Sequence, residues 1–413
     1  MISQLKSVIS EAGSPERGEL SFLWAKDHMG ILKKITEKVL NGQPLAGRRL
    51  GFCLHITKET SVLLMAAKEL GAEIAACPAN PLTTQDDIAS FLCEKGVTIY
   101  AWRGQTDKEF RECLNKVIQF KPEIVTDDGA ELHVLANNIR CQSILGGTEE
   151  TTAGVTRLRS LQGKKSLLYP VIGVNDASTK YLFDNRYGTG QSTIDGLMRA
   201  TGVFMAGKHV IVCGYGWVGK GVASRASGMG AIVTVTEIDH IRALEASMDG
   251  FAVKRLLDVV ESGDIFITCT GQTKVIRKEH FQKMKQGAIL ANAGHFDVEI
   301  DVEYLYKQDS NPVCVRANVN SFKIAGKKIF LIDRGRVVNL VSGEGHAPEV
   351  MSLSFANQLL SILFLSKFHA KLKKRLHRVP RHIDRAIARY STESMNIRID
   401  KLTTEQKAYR HFI

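Results

Sequence analysis

The feature that most limits what this chain can fold into is a glycine-rich turn set between a strand and a helix. Lys208-His-Val-Ile-Val-Cys213 is a short apolar run. It leads directly into Gly214-Tyr215-Gly216-Trp217-Val218-Gly219-Lys220-Gly221, and a helical stretch follows. The next apolar run, Ala231 to Thr236, ends in an acid, Glu237, 23 positions after Gly214. A lone G-x-G-x-x-G says little. A strand before it, a helix after it and an acid at that distance make it specific for a dinucleotide-binding unit of the Rossmann type. Gly214 allows the tight turn, Gly216 lets the backbone approach a pyrophosphate, and Gly219 lets helix and strand pack closely. The helix start then offers unpaired N–H groups and positive partial charge to the phosphates. Glu237 is placed to accept hydrogen bonds from a ribose diol and to repel a 2′-phosphate, so NAD is expected over NADP. The competing reading is a glycine turn with a structural role alone.

The remainder alternates between two periods. A helix is expected over Leu20–Leu40, then a strand at Arg49–His55, a helix at Thr57–Leu70 and a strand at Glu73–Cys77. Thr84–Lys95 reads as a helix, Val97–Trp102 as a strand, Asp107–Gln119 as a helix and Ile124–Asp128 as a strand. Such alternation calls for a parallel, doubly wound sheet with functional groups at the C-terminal ends of the strands. His55, Asn80 and Asp128 fall at such ends. Beyond the glycine turn the alternation continues through Asp264–Thr270, Gly287–Asn292 and Lys328–Ile332, and a helical return is expected after Gly345.

Composition narrows the class. The chain has 413 residues, 44% hydrophobic and 24% charged, with only 9 Pro, which excludes a mostly disordered or fibrous chain. Its eight Cys are scattered with no C-x-x-C, which points to free thiols in a reducing compartment; neither a disulfide frame nor a metal site is expected. The longest strongly apolar run, Leu359 to Leu365, is too short to span a bilayer, and the first residues contain no apolar run of signal-peptide length. A soluble, cytoplasmic protein with no membrane contact is expected. The net charge is +12, and four Lys and five Arg against one acid, Asp384, lie between Lys367 and Arg389. We read that stripe as a solvated helix face or a subunit contact. Nucleic-acid binding is not expected, since no recognised module accompanies the charge.

Four polar clusters stand out: Glu149-Glu150-Thr151-Thr152; Asn175-Asp176 with Lys180, Asp184 and Asn185; Gly294-His295-Phe296-Asp297; and Asn339 with Gly343-Glu344-Gly345-His346. Each has a bland explanation. Lys180 and Asp184 are spaced as a helix pair, and Glu150-Thr151-Thr152 could cap a helix. Beside an NAD fold, together, they point to an NAD-dependent enzyme.

Longer motifs go further. HITKETSVLL, ANPLTTQDD, YAWRGQTD, TDDGAEL, GGTEETTAGV, VNDASTKYLFDNRYGTGQSTIDGLMRAT, GYGWVGKG, NAGHFDVEI and GRVVNLVSGEGHAPEVMSLSFANQ, in this order from about Leu20 to Tyr409, resemble the S-adenosyl-L-homocysteine hydrolase (adenosylhomocysteinase) family. YGTGQS and GYGWVGKG are closer to its archaeal and thermophilic-bacterial branch than to the animal one. The resemblance implies reversible cleavage of S-adenosyl-L-homocysteine to adenosine and homocysteine. A thioether at C5′ is a poor target for water. Oxidising the 3′-hydroxyl with NAD acidifies the C4′ proton, so homocysteine can be eliminated, water added and the ketone reduced again.

Carried over by motif, Lys180 serves the 3′-hydroxyl and would need burial near the cationic nicotinamide to be partly neutral. Asp184 and Glu150 grip the ribose hydroxyls, Asp128 is the C4′ base or its support, and His55 with His295 handles the leaving thiolate and the water. Thr57, Glu59 and His346 resemble the adenine contacts. A Glu59 carboxylate accepts from the amino group of adenine and opposes the carbonyl of hypoxanthine, at about 1–3 kcal/mol. Thr151, Thr152, Asn185, Gly214, Gly216 to Gly221 (with Trp217, Val218, Gly219 and Lys220), Glu237, Arg242, Ala293, Gly294, His295, Asn339 and His346 resemble the NAD contacts.

Departures from the family pattern are Ala153 for a common Thr, Trp217 for a common Asp, Arg242 for a common Asn and Thr189 for the Cys of animal members. Longer members end in a tail whose Lys and Tyr reach a neighbouring subunit's NAD. This chain stops at His411-Phe412-Ile413, so that cover is expected to be absent or replaced. The expected architecture is two doubly wound parallel-sheet domains: a substrate domain over 1–185, an inserted Rossmann NAD domain over 186–346, a helical return over 347–395 and a short C-terminal segment over 396–413. Hinges are expected near Asn185 and Gly345, and a homo-oligomer, tetramer or dimer, is expected. The rival readings are the same chemistry on an inosyl thionucleoside, a catalytically silent NAD-binding relative, and nucleic-acid binding through 367–389.

Overall fold

Short apolar runs closed by glycine or by helix caps become the strands of two eight-stranded sheets in the computed structural model, which describes residues 6–410. They are β1 (Val8–Ile9), β2 (Arg49–Cys53), β3 (Glu73–Cys77), β4 (Thr98–Ala101), β5 (Ile124–Asp127), β6 (Gly146–Glu149) and β7 (Val171–Gly173) in the first sheet. The second holds β8 (His209–Cys213), β9 (Ile232–Thr236), β10 (Ala252–Val253), β11 (Ile265–Thr268), β12 (Ile289–Asn292), β13 (Val313–Arg316), β14 (Val319–Ile324) and β15 (Lys327–Ile332). The chain then returns as β16 (Leu376–Arg378) to the edge of the first.

The orders are β1-β4-β3-β2-β5-β6-β7-β16 and β10-β9-β8-β11-β12-β15-β14-β13. The first sheet is parallel throughout, and the second is parallel apart from the antiparallel β15-β14-β13 edge. Each sheet reverses winding at its centre, where β2 lies beside β5 and β8 beside β11. Crevices form at such points beyond the C-terminal strand ends. His55 follows β2, Asp128 follows β5, and the glycine turn follows β8. The fold is α/β with two doubly wound units, and the second has the Rossmann strand order.

Each sheet has its own core: Phe52, Ile74 and Ile99 in the first, Val210, Val212, Ile265 and Ile267 in the second. Helix Asp107–Gln119 is bounded as its pattern predicts, by a reciprocal cap between Thr106 and Glu109.

Three expectations need correction. The helix expected over Leu20–Leu40 is two helices, Pro15–His28 and Gly30–Val39. Met29 leaves helical geometry (φ −102°, ψ 48°) while its side chain is fully buried, so the chain bends around that anchor. The return after Gly345 is not wholly helical, because Leu376–Arg378 pairs with β7. The nine cations of the basic run are therefore not one helix face. All are exposed, and they are shared among a helix end, a 3₁₀ turn, the short connection that carries Lys373, Lys374 and Arg375, the edge strand and helix Arg381–Ser394. Charge on an edge strand also discourages pairing with another sheet.

Third, the apolar stretch at Leu359–Leu365 belongs to a 21-residue helix, Pro348–Phe368. With the turn that follows, it is long and apolar enough by length and composition to cross a membrane. Here it runs through the first domain. Leu353, Phe355, Ala356, Leu359, Ile362 and Leu365 lie in that core, and Ser354, Asn357 and Gln358 are buried beside them. The expectation about the chain end at His411–Ile413 lies outside the described residues.

Leu359 is fully buried at the centre of that helix. Leu359→Ala is expected to destabilise the protein by about 2–5 kcal/mol in equilibrium denaturation. A loss under about 0.5 kcal/mol would mean that the helix does not sit in the core.

Candidate active site

Strand ends and one widened helical turn assemble the site. Lys180 closes a short helix, and Tyr181–Gly188 continues it as π-helix before helix Thr189–Thr201. A π turn puts i and i+5 nearly above one another. Both following polar residues therefore face Lys180: its Nζ donates to Asn185 Oδ1 at 2.8 Å and lies 3.3 Å from Asp184 Oδ1. Glu150, one residue beyond β6, brings its Oε1 to 3.9 Å from the same Nζ. Helix Pro348–Phe368 supplies the outer support. Ser354 donates to Asp184 Oδ2 at 2.6 Å, and Gln358 donates to Glu150 Oε2. His346 adds its Nδ1 at 3.3 Å from Asp184 Oδ1, with Thr189 against its Nε2.

The charge state of this group is set by burial working against close neighbours. Burial pulls the Lys180 ammonium down, but Asp184, Glu150 and Asp128 together outweigh it, and the net shift is upward. Among the groups of this chain, nothing neutralises Lys180. Burial would raise Asp184, yet Lys180, His346 and Ser354 hold it well below the usual carboxylate range. Burial pushes Glu150 up to about 7 against the pull of Lys180.

A second cluster spans the two sheets. Asp128 lies with Oδ2 3.5 Å from His55 Nε2 and Oδ1 3.4 Å from His295 Nδ1, the latter arriving from the end of β12. His55 Nδ1 is 2.7 Å from Thr83 Oγ1, and that hydroxyl donates to Asn80 O. The hydroxyl proton is thus committed, so Nδ1–H of His55 is the donor and Nε2 faces Asp128. Burial pushes His55 down to about 4 and lowers His295 too. The imidazole is neutral near pH 7.

Two residues that the motif reading passed over organise this cluster. Glu149, fully buried, accepts from the backbone N–H of Gly129 and of Thr151 and from the Thr151 hydroxyl, each at 2.9 Å. It ties the Asp128 loop to the cap of helix Thr152–Gly163. Asn292 donates to the carbonyls of Gly294, Phe296 and Gly335, shaping the loop that carries His295. Strand alternation could have flagged Glu149, because neighbouring acids at a strand end cannot both face one cleft.

The cofactor candidates fall where the glycine turn predicts. Gly214 has φ +101°, and a Cβ on Gly219 would stand 2.0 Å from Gly214 O. A Cβ on Gly216 would meet nothing nearer than Arg242 Nη1 at 3.8 Å, leaving that backbone open at the start of helix Trp217–Gly228. Val218 packs against the second core. Gly221 packs on the carbonyl of Arg186, which joins the glycine helix to the π turn. Trp217 stacks near Tyr181, with Lys220 Nζ over its ring at 4.4 Å and paired with Glu245. Glu237 accepts from the N–H groups of Tyr215, Ile238 and Asp239. Thr152, Asn175 and Asn185 form one hydrogen-bonded group. Ala293 is anchored by its N–H to Thr268 O. Thr57 caps its helix by accepting from Thr60 N–H. Glu59, two residues on in the same first turn, is 2% exposed.

Residues 185–345 match the family described as S-adenosyl-L-homocysteine hydrolase, NAD binding domain, and residues 8–142 match S-adenosyl-L-homocysteine hydrolase. The chain belongs to the S-adenosyl-L-homocysteine hydrolase family. It is 50% identical to the adenosylhomocysteinase of Aeropyrum pernix over 396 residues, 95% of each chain. It is 46% identical to that of Aquifex aeolicus over 406 residues, 97% of each. It is also 50% identical to the S-inosyl-L-homocysteine hydrolase of Methanocaldococcus jannaschii over 397 residues, 95% of this chain and 96% of that one. These relatives are archaeal and thermophilic-bacterial, as YGTGQS and GYGWVGKG suggest.

The chain is thus an enzyme whose cofactor is NAD, and its residues fit that group. The open backbone at Gly216 and the helix behind it suit a pyrophosphate. Asn339 donates to Ser192 while its buried Oδ1 has no partner in the chain. Among the described residues Glu59 Oε1, Asp128 Oδ1, Glu150 Oε1 and Gln358 Oε1 are buried without a hydrogen bond as well, although the first three have an ammonium or imidazole within 4 Å. Unpaired buried acceptors cost about 1–3 kcal/mol each, and a ligand rich in hydroxyl and amino donors relieves that cost.

Gly129 has φ +102°, and a Cβ there would lie 2.2 Å from His295 Nε2. Gly129→Ala is expected to push His295 off Asp128 and lower turnover roughly 100-fold, with the circular dichroism of the fold retained. Wild-type turnover in a folded variant would mean that His295 need not sit there.

Proposed function

We propose that this enzyme reversibly hydrolyses S-adenosyl-L-homocysteine to adenosine and L-homocysteine, and prefers the adenosyl to the inosyl substrate. The observation that carries the reading is Lys180, buried between Asp184 at 3.3 Å and Glu150 at 3.9 Å in a family whose cofactor is NAD. When bound, NAD supplies a reversible hydride acceptor for C3′ of the ribose.

The other parts of the reaction fall to the chain. Asp184, held ionised, and Glu150 accept from the ribose hydroxyls and orient the C3′–H bond. Lys180 receives and returns the 3′-hydroxyl proton, and the positive charge of a neighbouring nicotinamide brings its pKa down towards a working base. Asp128 removes the proton at C4′. The proton that Asp128 takes from C4′ passes to the bare Nε2 of His55, whose tautomer is set by Thr83; His55, with His295, then gives it to the departing thiolate and takes one from the water that replaces it. Glu59 reads the amino group of adenine, beside Thr57. His346, placed on Asp184 and Thr189, supports the ribose acids, and Thr151, Thr152, Asn185, Glu237 and Asn339 hold the cofactor.

The same reading places the substrate domain in residues 1–185, the NAD domain in 186–346, the return in 347–395 and the terminal segment in 396–413. Hinges fall near Asn185 and Gly345. Contacts between the two units, His295 with Asp128 and Arg103 with the carbonyl of Val341 at 2.7 Å, support a closed, water-excluding cleft. A homo-oligomer, tetramer or dimer, is supported by the exposed apolar row Ile238, Ile241, Leu244 and Met248. A cytoplasmic location is supported by eight free cysteines.

The inosyl reading is favoured by the 50% identity to an S-inosyl-L-homocysteine hydrolase, and one assay separates the two. Purified enzyme with NAD is expected to release thiol from S-adenosyl-L-homocysteine and to lose that activity at least about 1,000-fold on Lys180→Ala. Release from the inosyl compound alone would keep the chemistry and reverse the role of Glu59. Release from neither, with NAD bound, would contradict the reading.

A further inference from the structure

Glu59 sits in an unusual setting for a base-reading carboxylate. It is almost fully buried, yet its Oε1 accepts no hydrogen bond from the chain. The charge acting on it is its sequence neighbour. Lys58 Nζ lies 3.3 Å from Glu59 Oε1 and donates to Glu344 Oε2 at 3.0 Å. Glu344 belongs to the Gly343–His346 loop at the far border of the second unit, and it is also approached by Arg199 at 3.5 Å. Lys58 therefore touches both the residue that faces the base and the loop that moves if the domains part. Its side chain is 12% exposed, so its contact with the buried Glu59 is little screened by solvent, whereas Glu344 is 61% exposed and the contact with it is the weaker of the two.

A carboxyl group recognises a purine differently in its two protonation states. Ionised, it only accepts, and it suits the exocyclic amino group of adenine. Protonated, it donates through one oxygen and suits the carbonyl of hypoxanthine. A buried carboxyl drifts towards the protonated form unless a cation opposes the drift. Lys58 is the cation that acts on Glu59, and its own ammonium is tied down by Glu344.

We propose that Lys58 is a positioning residue for base specificity: bridging Glu59 and Glu344 in the closed enzyme, it holds Glu59 in the acceptor form and so couples adenine recognition to domain closure. This rests on the reading of Glu59 as the base contact and deepens it. With the domains apart, Glu344 no longer fixes the ammonium, and the base pocket discriminates less. The enzyme thus selects its base at the moment the cleft closes, where selection decides which substrate proceeds.

The test compares kcat/KM for S-adenosyl-L-homocysteine and S-inosyl-L-homocysteine, with the NAD-loaded enzyme, as a function of pH. Lys58→Met is expected to lower the adenosyl-to-inosyl ratio roughly 10-fold or more at neutral pH. In that variant Glu59 has lost the cation that opposes its burial, so the ratio should climb more steeply as pH rises than it does in the wild type. Lys58→Arg should restore most of the ratio. Glu344→Gln, a change at an exposed side chain, should shift it the same way by a smaller factor. Equilibrium binding of adenosine and inosine to the same variants reads the preference without turnover. A Lys58→Met enzyme that loses activity equally on both substrates, or keeps the wild-type ratio with the wild-type pH dependence, would overturn the proposal. The wild-type ratio judges the substrate assignment separately. An inosyl-preferring wild type refutes that assignment, whereas the change on Lys58→Met judges the role of Lys58.

Discussion

Lys180, Glu150 and Asp184 are removed from water together, each 5% exposed or less in its side chain. Burying one such charge alone costs several kcal/mol after relaxation, and a buried pair is tolerated only when the remaining lone pairs and protons are satisfied. Much of the surrounding structure meets that condition. The π turn supplies Asn185 as a second partner for the ammonium, Ser354 and His346 occupy the oxygens of Asp184, and Gln358 occupies one oxygen of Glu150. Three of the side chains that do this come from distant stretches of chain, namely Ser354, Gln358 and His346. Helix Pro348–Phe368 must therefore cross the first domain, and the inserted domain must return the chain to it. One oxygen of Glu150 is left over, where a sugar hydroxyl would complete the set.

A second layer of buried acids lies behind the reacting groups. Asp127 accepts from the N–H groups of Asp128 and His133, and Glu149 accepts from Gly129 and Thr151. Burial pushes Asp127 up to about 7 and raises Glu149 further from its ordinary value. Both acids accept from backbone N–H groups. They fix the backbone that carries Asp128 towards the histidines and the threonine that caps the helix beside the cofactor, so substrate and cofactor elements share one scaffold. Gly129 is the contact point, since His295 of the other unit occupies the space a side chain would need.

Among the described residues, nine of the sixteen strands were legible because strand and helix periods differ and the chain alternates them cleanly, and Asp107–Gln119 was readable end to end. What was not legible has identifiable causes. β1 and β16 are two and three residues long and sit on edges, too short to show a period. The first helix breaks at Met29, which is anchored in the core, and the only local signal is Gly30 beside it, inside a run of apolar residues that keeps helical spacing. The π turn reads as an ordinary i, i+4 spacing of Lys180 and Asp184, although the extra residue is what lets Asn185 join them. Of the site, the residues inside long motifs were identifiable. Glu149, Asn292, Ser354 and Gln358 were not assigned: Glu149 and Asn292 act mainly on backbone groups, and the partners of Ser354 and Gln358 lie 170 and 208 positions away. The acids that raise Lys180 were not legible as a set either, because they converge only in the fold.

The account makes C4′ acidic only after the 3′-hydroxyl has given up its proton to Lys180. The most direct test is exchange of the C4′ hydrogen of adenosine with solvent deuterium, followed by nuclear magnetic resonance in the NAD-loaded enzyme and in Lys180→Met. The account predicts exchange in the wild type and none above background in the variant, although adenosine still binds. Undiminished exchange in Lys180→Met, or thiol release by the wild type with no exchange at C4′, would contradict it.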